Sequence, residues 1–96
     1  MIKKRRAILI FGAGLNQYTL IKAANDLGLI SVVLDPYPDA PGKNIADYFY
    51  VVAGNDYNTT REIALKHKVA GLVTTQMEKP ISLIARLAAE LGLRFH

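Results

Sequence analysis

The stretch FGAGLNQ, residues 11–17, follows the unbroken apolar run AILIF and leads into a segment whose apolar residues recur at helical spacing. A continuous apolar run of this length suits a central strand of a parallel sheet, covered on both faces. Gly12 and Gly14 let the backbone turn tightly and approach a ligand, and the free amides at the start of the helix behind them favour an anion. A strand, a glycine turn and a helix in that order open an α/β domain whose ligands sit at the carboxyl ends of the strands. The turn falls short of a dinucleotide fingerprint. G-x-G-x-x-G needs a third glycine for close packing of helix on strand, and this chain has Gln17 there.

Working outward, Leu20, Ile21, Ala24 and Leu27 mark a helix over residues 15–27, and Gly28 ends it. Residues 30–34 read as a second strand stopping at Asp35, because PYPDAPG brings three prolines and a glycine that no regular element tolerates. Residues 48–52, aromatic and β-branched, predict a third strand nearer the sheet edge. Thr59 with Glu62 three residues on fits a capping box and predicts a helix beginning there and running through residues 63–69. Residues 71–75 predict a fourth strand. Lys79-Pro80 predicts the start of a third helix that turns Ile81, Ile84, Leu87, Ala88 and Leu91 inward and stops at Gly92, with a fifth strand at 93–95. Alternation of this kind predicts a Rossmann-like three-layer αβα domain with a parallel sheet of four to five strands in the order 3-2-1-4-5. Ligand groups are then expected from residues 12–17, 35–42 and 74–79.

Composition narrows the function classes. Ninety-six residues, 51% hydrophobic and 21% charged, make one ordered domain. Of twelve cations, Lys3, Lys4, Arg5 and Arg6 form one run before the first strand, and the other eight balance the eight carboxylates. Such a run reads as a solvated tether, and neither nucleic acid nor membrane is expected as a partner. The absence of cysteine excludes disulfides and thiolate chemistry, and a cytoplasmic setting is expected. The apolar segment behind the basic run is too short for a signal peptide and leads straight into the glycine turn.

The chemistry-bearing residues fall on the three loops. Asp35 stands 23 residues after Gly12, close to the spacing of an acid that binds a ribose hydroxyl; the other role open to it is to cap and end a strand. Asn16 and Gln17 either face a ligand or cap the helix. TTQMEK, residues 74–79, collects hydroxyl, amide and carboxylate groups fit to grasp a small polar substrate, and Glu78 is either a substrate contact or a surface acid at a helix start. His67, between Lys66 and Lys68, reads as a solvated residue at a helix end. No set of His, Asp and Glu at ligand spacing predicts a metal site.

Three segments, FGAGLNQYTLIKAANDLG, VVLDPYPDAPGKNIADYFYVV and VAGLVTTQMEKPISLIARLAAELGL, together resemble the amino-terminal pre-ATP-grasp domain of ATP-grasp carbon–nitrogen ligases. The middle one is the most specific: an acid ending strand two, a proline-rich turn, A-P-G, and A-D before an aromatic strand. Similar strings occur in the carbamoyl-phosphate synthetase large chain, biotin carboxylase and the glycinamide ribonucleotide enzymes. The resemblance implies an acyl-phosphate mechanism in which ATP phosphorylates a carboxylate and an amine or similar nucleophile displaces the phosphate. It implies that ATP and Mg are bound mainly by lobes outside these residues, in cis or in trans, and that this domain is not catalytic alone. It also implies one wall of an acceptor pocket, with Gly12, Ala13, Gly14, Asn16 and Gln17 lining it and Thr75, Gln76 and Glu78 facing it. TTQMEK departs from the pattern of the glycinamide ribonucleotide enzymes, so the resemblance does not extend to the acceptor's identity. The alternatives are a nucleotide- or dinucleotide-sensing module acting through Gly12, Gly14 and Asp35, and an associative domain that forms a homo-oligomer.

Overall fold

A computed structural model of the chain describes residues 5–74, 81–92, 94 and 95. Five parallel strands, β1 (Ala7–Phe11), β2 (Ile30–Asp35), β3 (Tyr48–Val51), β4 (Gly71–Thr74) and β5 (Arg94–Phe95), stand in the order β3-β2-β1-β4-β5. Helix α1 (Leu15–Asp26) follows β1, α2 (Tyr57–His67) follows β3, and α3 (Ile81–Leu91) follows β4. Between β2 and β3 runs a strap that includes a short 3₁₀ turn at Pro41–Asn44. Strand order, polarity and the Rossmann-like αβα class agree with the pattern of alternating elements in the sequence.

Why the apolar runs lack the usual alternation is visible in the packing. Successive strand residues point to opposite faces, and here both faces are covered. Leu9 and Phe11 of β1 and Val32 and Leu34 of β2 join Ile63, Ala64, Leu72, Leu87 and Ala88 beneath α2 and α3. Ile10 and Val33 turn the other way and meet Ala13, Ile21, Ala24 and Ala40 beneath α1 and the strap. Leu9, Ile10, Val32 and Val33 are each 0% exposed, so neither central strand can carry a polar residue on either side without a partner. Of the two polar residues of β2, Ser31 and the terminal Asp35, Ser31 is equally buried and its hydroxyl is engaged.

One boundary departs from expectation for a clear reason. Helix α2 begins at Tyr57, earlier than the Thr59–Glu62 capping box predicts. Asp56 is the N-cap: its carboxylate accepts from Thr59 N at 3.1 Å and from Thr59 Oγ1 at 2.7 Å. Asp is as good a cap as Thr, and the two positions compete in the sequence; the hydroxyl of Thr60 instead donates to Asp56 O at 2.8 Å. The helix stops at Lys68, which takes the left-handed conformation (φ 50°), a C-terminal signal invisible without glycine. On α3, Leu87 and Ala88 are buried and Leu91 packs against the same cluster, as predicted; the Lys79-Pro80 start and the side chains of Ile81 and Ile84 lie outside what is described. Arg61 Nε meets Glu90 at 3.0 Å, Tyr57 Oη donates to the same carboxylate, and the Arg86 guanidinium sits 3.8 Å from the Tyr57 ring centroid, tying α2 to α3.

Candidate functional site

The glycine turn leaves β1 at the carboxyl edge of the sheet. Gly12 takes φ 100°, a conformation that costs any other residue about 1–2 kcal/mol, and its amide donates to Leu34 O at 2.7 Å. The next peptide is gripped from both sides. Ala13 N donates to Asp35 Oδ2 at 2.8 Å, and Ala13 O accepts from Gly42 N at 2.7 Å. Ala13 itself is 0% exposed.

Gly42 explains the A-P-G string. A Cβ built there would stand 2.5 Å from Ile21 Cδ1 and 3.0 Å from both Ala13 Cβ and Ala13 O, so only glycine lets the strap come this close to the turn. Pro41, just before it, starts the 3₁₀ turn at a position where a missing N–H costs nothing. Asp35 closes the arrangement at the other side: Oδ1 accepts from Tyr37 N at 2.8 Å, and its main-chain carbonyl accepts from Val52 N at 3.1 Å. Its carboxylate is 8% exposed as a residue and spends both oxygens on backbone amides. The proline-rich segment is thereby a rigid strap that fixes the glycine turn.

Beyond the gripped peptide the turn becomes a helix start. Gly14 is the N-cap residue of α1, with no side-chain cap and no acid in the first turn. Gly14 O accepts from Gln17 N and from Tyr18 N, each at 3.1 Å. The earliest amides of such a helix are those left for an anion or for water. Asn16 is exposed and Gln17 is 8% exposed. The Gln17 amide folds back over the turn, its Oε1 lying 3.1 Å from where a Cβ on Gly14 would be. Gln17 thus occupies with a buried amide the position at which a dinucleotide fingerprint carries its third glycine. In the sheet, Thr74 of β4 pairs in register with Phe11, so β4 and the glycine turn end at the same edge. Thr75, Gln76 and Glu78, expected to face the turn, lie outside the described residues.

Sequence reasoning missed a neighbouring feature. Phe11, Gly12, Leu34, Pro36, Val52, Ala53, Gly54 and Thr60 enclose an open, mainly apolar recess of about 300 Å³, solvent included. Residues 52–54 have no signature in the chain; only the sheet order brings them beside the glycine turn. His67 is also differently placed than predicted. It is half-buried against β3, with Nε2 2.6 Å from Tyr50 Oη and its ring centroid 4.5 Å from that of Tyr48. Burial, and then the charge of Lys66, hold its pKa below the ordinary value. Among the described residues no three His, Asp or Glu side chains gather as a metal site, and no helix is long and apolar enough to cross a membrane.

A parallel αβα domain with a strap-held glycine turn at the carboxyl edge of its sheet defines a Rossmann-like domain. The particular kind follows from the pattern that matches residues 5–93, that of the ribonucleotide synthetase pre-ATP-grasp domain, and the chain belongs to this family. No curated protein matches the chain. Among solved structures, N5-carboxyaminoimidazole synthetase from Staphylococcus aureus complexed with ADP superposes with a TM-score of 0.79 at 22% identity, over 98% of this chain and 25% of that one. Phosphoribosylglycinamide synthetase from Anaerococcus prevotii gives 0.78 at 25% identity over 93% of this chain and 23% of that one. UDP-glucose 4-epimerase from Thermotoga maritima, with UDP-glucose, gives 0.77 at 15% identity over 93% and 36%. The chain therefore spans about a quarter of the length of the two synthetases. The epimerase likeness shows the fold alone; membership in the pre-ATP-grasp family rests on the family match.

Proposed function

We propose that this domain forms the acceptor-substrate wall of an ATP-grasp ligase, with a phosphorylated ribose compound as the class of acceptor. Support for the ligase reading comes from the family match together with one observation: both carboxylate oxygens of Asp35 hold backbone amides, Ala13 N and Tyr37 N. In a dinucleotide-binding domain the acid at this position reaches a ribose hydroxyl instead. Support for the acceptor class comes from the start of α1, where Gly14 brings no side chain and the first turn no acid, and from the likeness to phosphoribosylglycinamide synthetase.

In this reading Gly12, Ala13, Gly14, Asn16 and Gln17 present the turn to the acceptor, Asp35 sets the turn's shape, and Thr75, Gln76 and Glu78 supply polar contacts from the neighbouring loop. The reaction is activation of a carboxylate by the γ-phosphoryl group of ATP, releasing ADP, and displacement of phosphate from the acyl phosphate by an amine or similar nucleophile. ATP and Mg belong to ATP-grasp lobes outside these 96 residues, in cis or in trans, and the setting is cytoplasmic. No residue of this chain is assigned a catalytic step, so its task is to orient the acceptor. Carbamoyl-phosphate synthetase-like chemistry is a narrower version that no residue here favours.

The test is NMR titration of the chain with ribose 5-phosphate and, separately, with NAD⁺. Ribose 5-phosphate is expected to shift the amides of Gly14, Leu15 and Asn16 at millimolar concentration, NAD⁺ to give no micromolar binding, and ATP with Mg to show no enzyme-like turnover. Micromolar NAD⁺ binding abolished by Asp35→Ala would instead establish the dinucleotide sensor.

A further inference from the structure

The edge strand β3 is fastened to α2 at a point unrelated to the glycine turn. Tyr50 Oη and His67 Nε2 are 2.6 Å apart, the His67 ring also lies 4.5 Å from Tyr48 and 5.6 Å from Tyr50 between centroids, and His67 is in the last turn of α2. A neutral imidazole accepts the phenol proton through Nε2, but a protonated one has only donors, so the pair must then reverse its polarity or part. We infer that the Tyr50–His67 contact is a proton-sensitive fastening that holds β3 on α2 when the imidazole is neutral and loosens it when the imidazole takes up a proton.

The surroundings favour the neutral form. From α2 and its cap, the charged neighbours in the chain are Lys66 and Lys68, and Lys66 Nζ lies 5.9 Å from the Tyr50 ring centroid. From β3 come the two phenols, Tyr48 and Tyr50. Asp47, just before β3, accepts from Ser31 N instead, and among the described residues no carboxylate pairs with His67. The end of a helix ordinarily favours an imidazolium. Here burial first, and the Lys66 charge second, outweigh it and lower the pKa from the ordinary 6.5. The sign follows: a lowered pKa in the folded protein means that the stabilisation is fully present above pH 6.5 and is lost as pH falls through the folded value.

The fastening bears on the carboxyl edge because of what lies between its two halves. β3 and α2 are joined by the segment that carries Val52, Ala53 and Gly54, the outer wall of the apolar recess. As an edge strand, β3 has one hydrogen-bonded neighbour, β2, and is further held by the Asp47–Ser31 bonds just before it and by the packing of Phe49 and Tyr50 on the two cores. Loosening at Tyr50 therefore bears on the strand that leads into this wall, where Val52 N still donates to Asp35 O at 3.1 Å.

The experiment is an NMR titration of the His67 ring together with amide exchange at residues 48–51, corrected for the intrinsic pH dependence of exchange, in the whole chain and in His67→Gln. The glutamine keeps an acceptor for Tyr50 at every pH. The expected result is a His67 midpoint below 6.5, protection of β3 that falls several-fold between about pH 7.5 and pH 5.5 in the parent, and protection that stays level in His67→Gln. A His67 midpoint at or above 6.5 overturns the inference, and so does an equal loss of β3 protection in both proteins. If His67→Gln does not fold, Tyr50→Phe serves: its His67 midpoint must rise relative to the parent, and an unchanged midpoint overturns the inference.

Discussion

The strap between β2 and β3 is anchored at its two ends by acids, the buried Asp35 and the exposed Asp47, and the two anchors differ in what they leave over. At the carboxyl edge of the sheet, Asp35 fixes two amides and the shape of the glycine turn, and the helix beyond starts at Gly14, which has no side chain to cap it. At the amino edge, the polar groups of Asn25, Ser31 and Asp47 bond to one another and to the backbone. Ser31 N donates to Asp47 Oδ2 at 2.9 Å, Asp47 N donates to Ser31 Oγ at 2.9 Å, Ser31 Oγ donates to Asn25 Oδ1 at 2.8 Å, and Asn25 Nδ2 donates to Ile45 O at 2.6 Å. The amino-edge network closes on itself and holds β2, β3 and the end of α1 together. The carboxyl-edge anchor instead shapes the glycine turn, and the proposed placement of ligand binding at that edge rests on this difference.

The comparison can be broken most forcefully at Gly42. Gly42→Val should unfold or displace the strap, with a loss of about 3 kcal/mol or more in chemical denaturation, because the added atoms meet Ile21 and the Ala13 carbonyl at once. A stable Gly42→Val protein with an unchanged strap would show that the close approach is dispensable. Next comes Asp35→Ala, which strands the buried amide of Ala13 and should cost about 2–3 kcal/mol; an increase in ribose 5-phosphate affinity in this variant would mean that the strap restrains the site instead of forming it. Ser31→Ala removes the hub of the closed network and should cost about 1–2 kcal/mol while leaving ligand-induced shifts at residues 14–16 unaltered. Loss of those shifts would mean that the two edges are coupled.

Smaller effects sharpen the picture. Asp56 has its pKa lowered first by the Thr59 hydroxyl and then by the Thr59 amide. Its cap should thus stabilise α2 fully above pH 3.8 and weaken as pH falls below that value, and Asp56→Ala should flatten this part of a stability–pH profile. The smallest change belongs to Lys22→Ala. It removes an i,i+4 ion pair, 3.5 Å long and with both side chains more than 60% exposed, and should move stability by about 0.5 kcal/mol or less.

Much of this was legible in the chain because it rests on local rules. Doubly covered strands need unbroken apolar runs, so AILIF and SVVL announced central strands. A turn that needs positive φ needs glycine, so Gly12 announced itself. Helix α2 shows the limit of such rules: Asp56 and Thr59 both offer sound caps three residues apart, and which is used depends on where β3 releases the chain. His67 shows another, since a histidine between two lysines reads as solvated until a strand brings tyrosines against it.

From the sequence alone came the alternating αβ architecture, the strand order, the glycine turn and the likeness to the pre-ATP-grasp family, since periodicity, turn chemistry and a specific string of residues are properties of neighbours along the chain. Only the tertiary structure decided that Asp35 spends its carboxylate on Ala13 and Tyr37, that Gly42 is required by contact with Ala13 and Ile21, and that residues 52–54 wall a recess beside the turn. Apart from the local Asp35–Tyr37 bond, those facts depend on distances between residues 20 or more positions apart, and such distances come into being only when the sheet assembles.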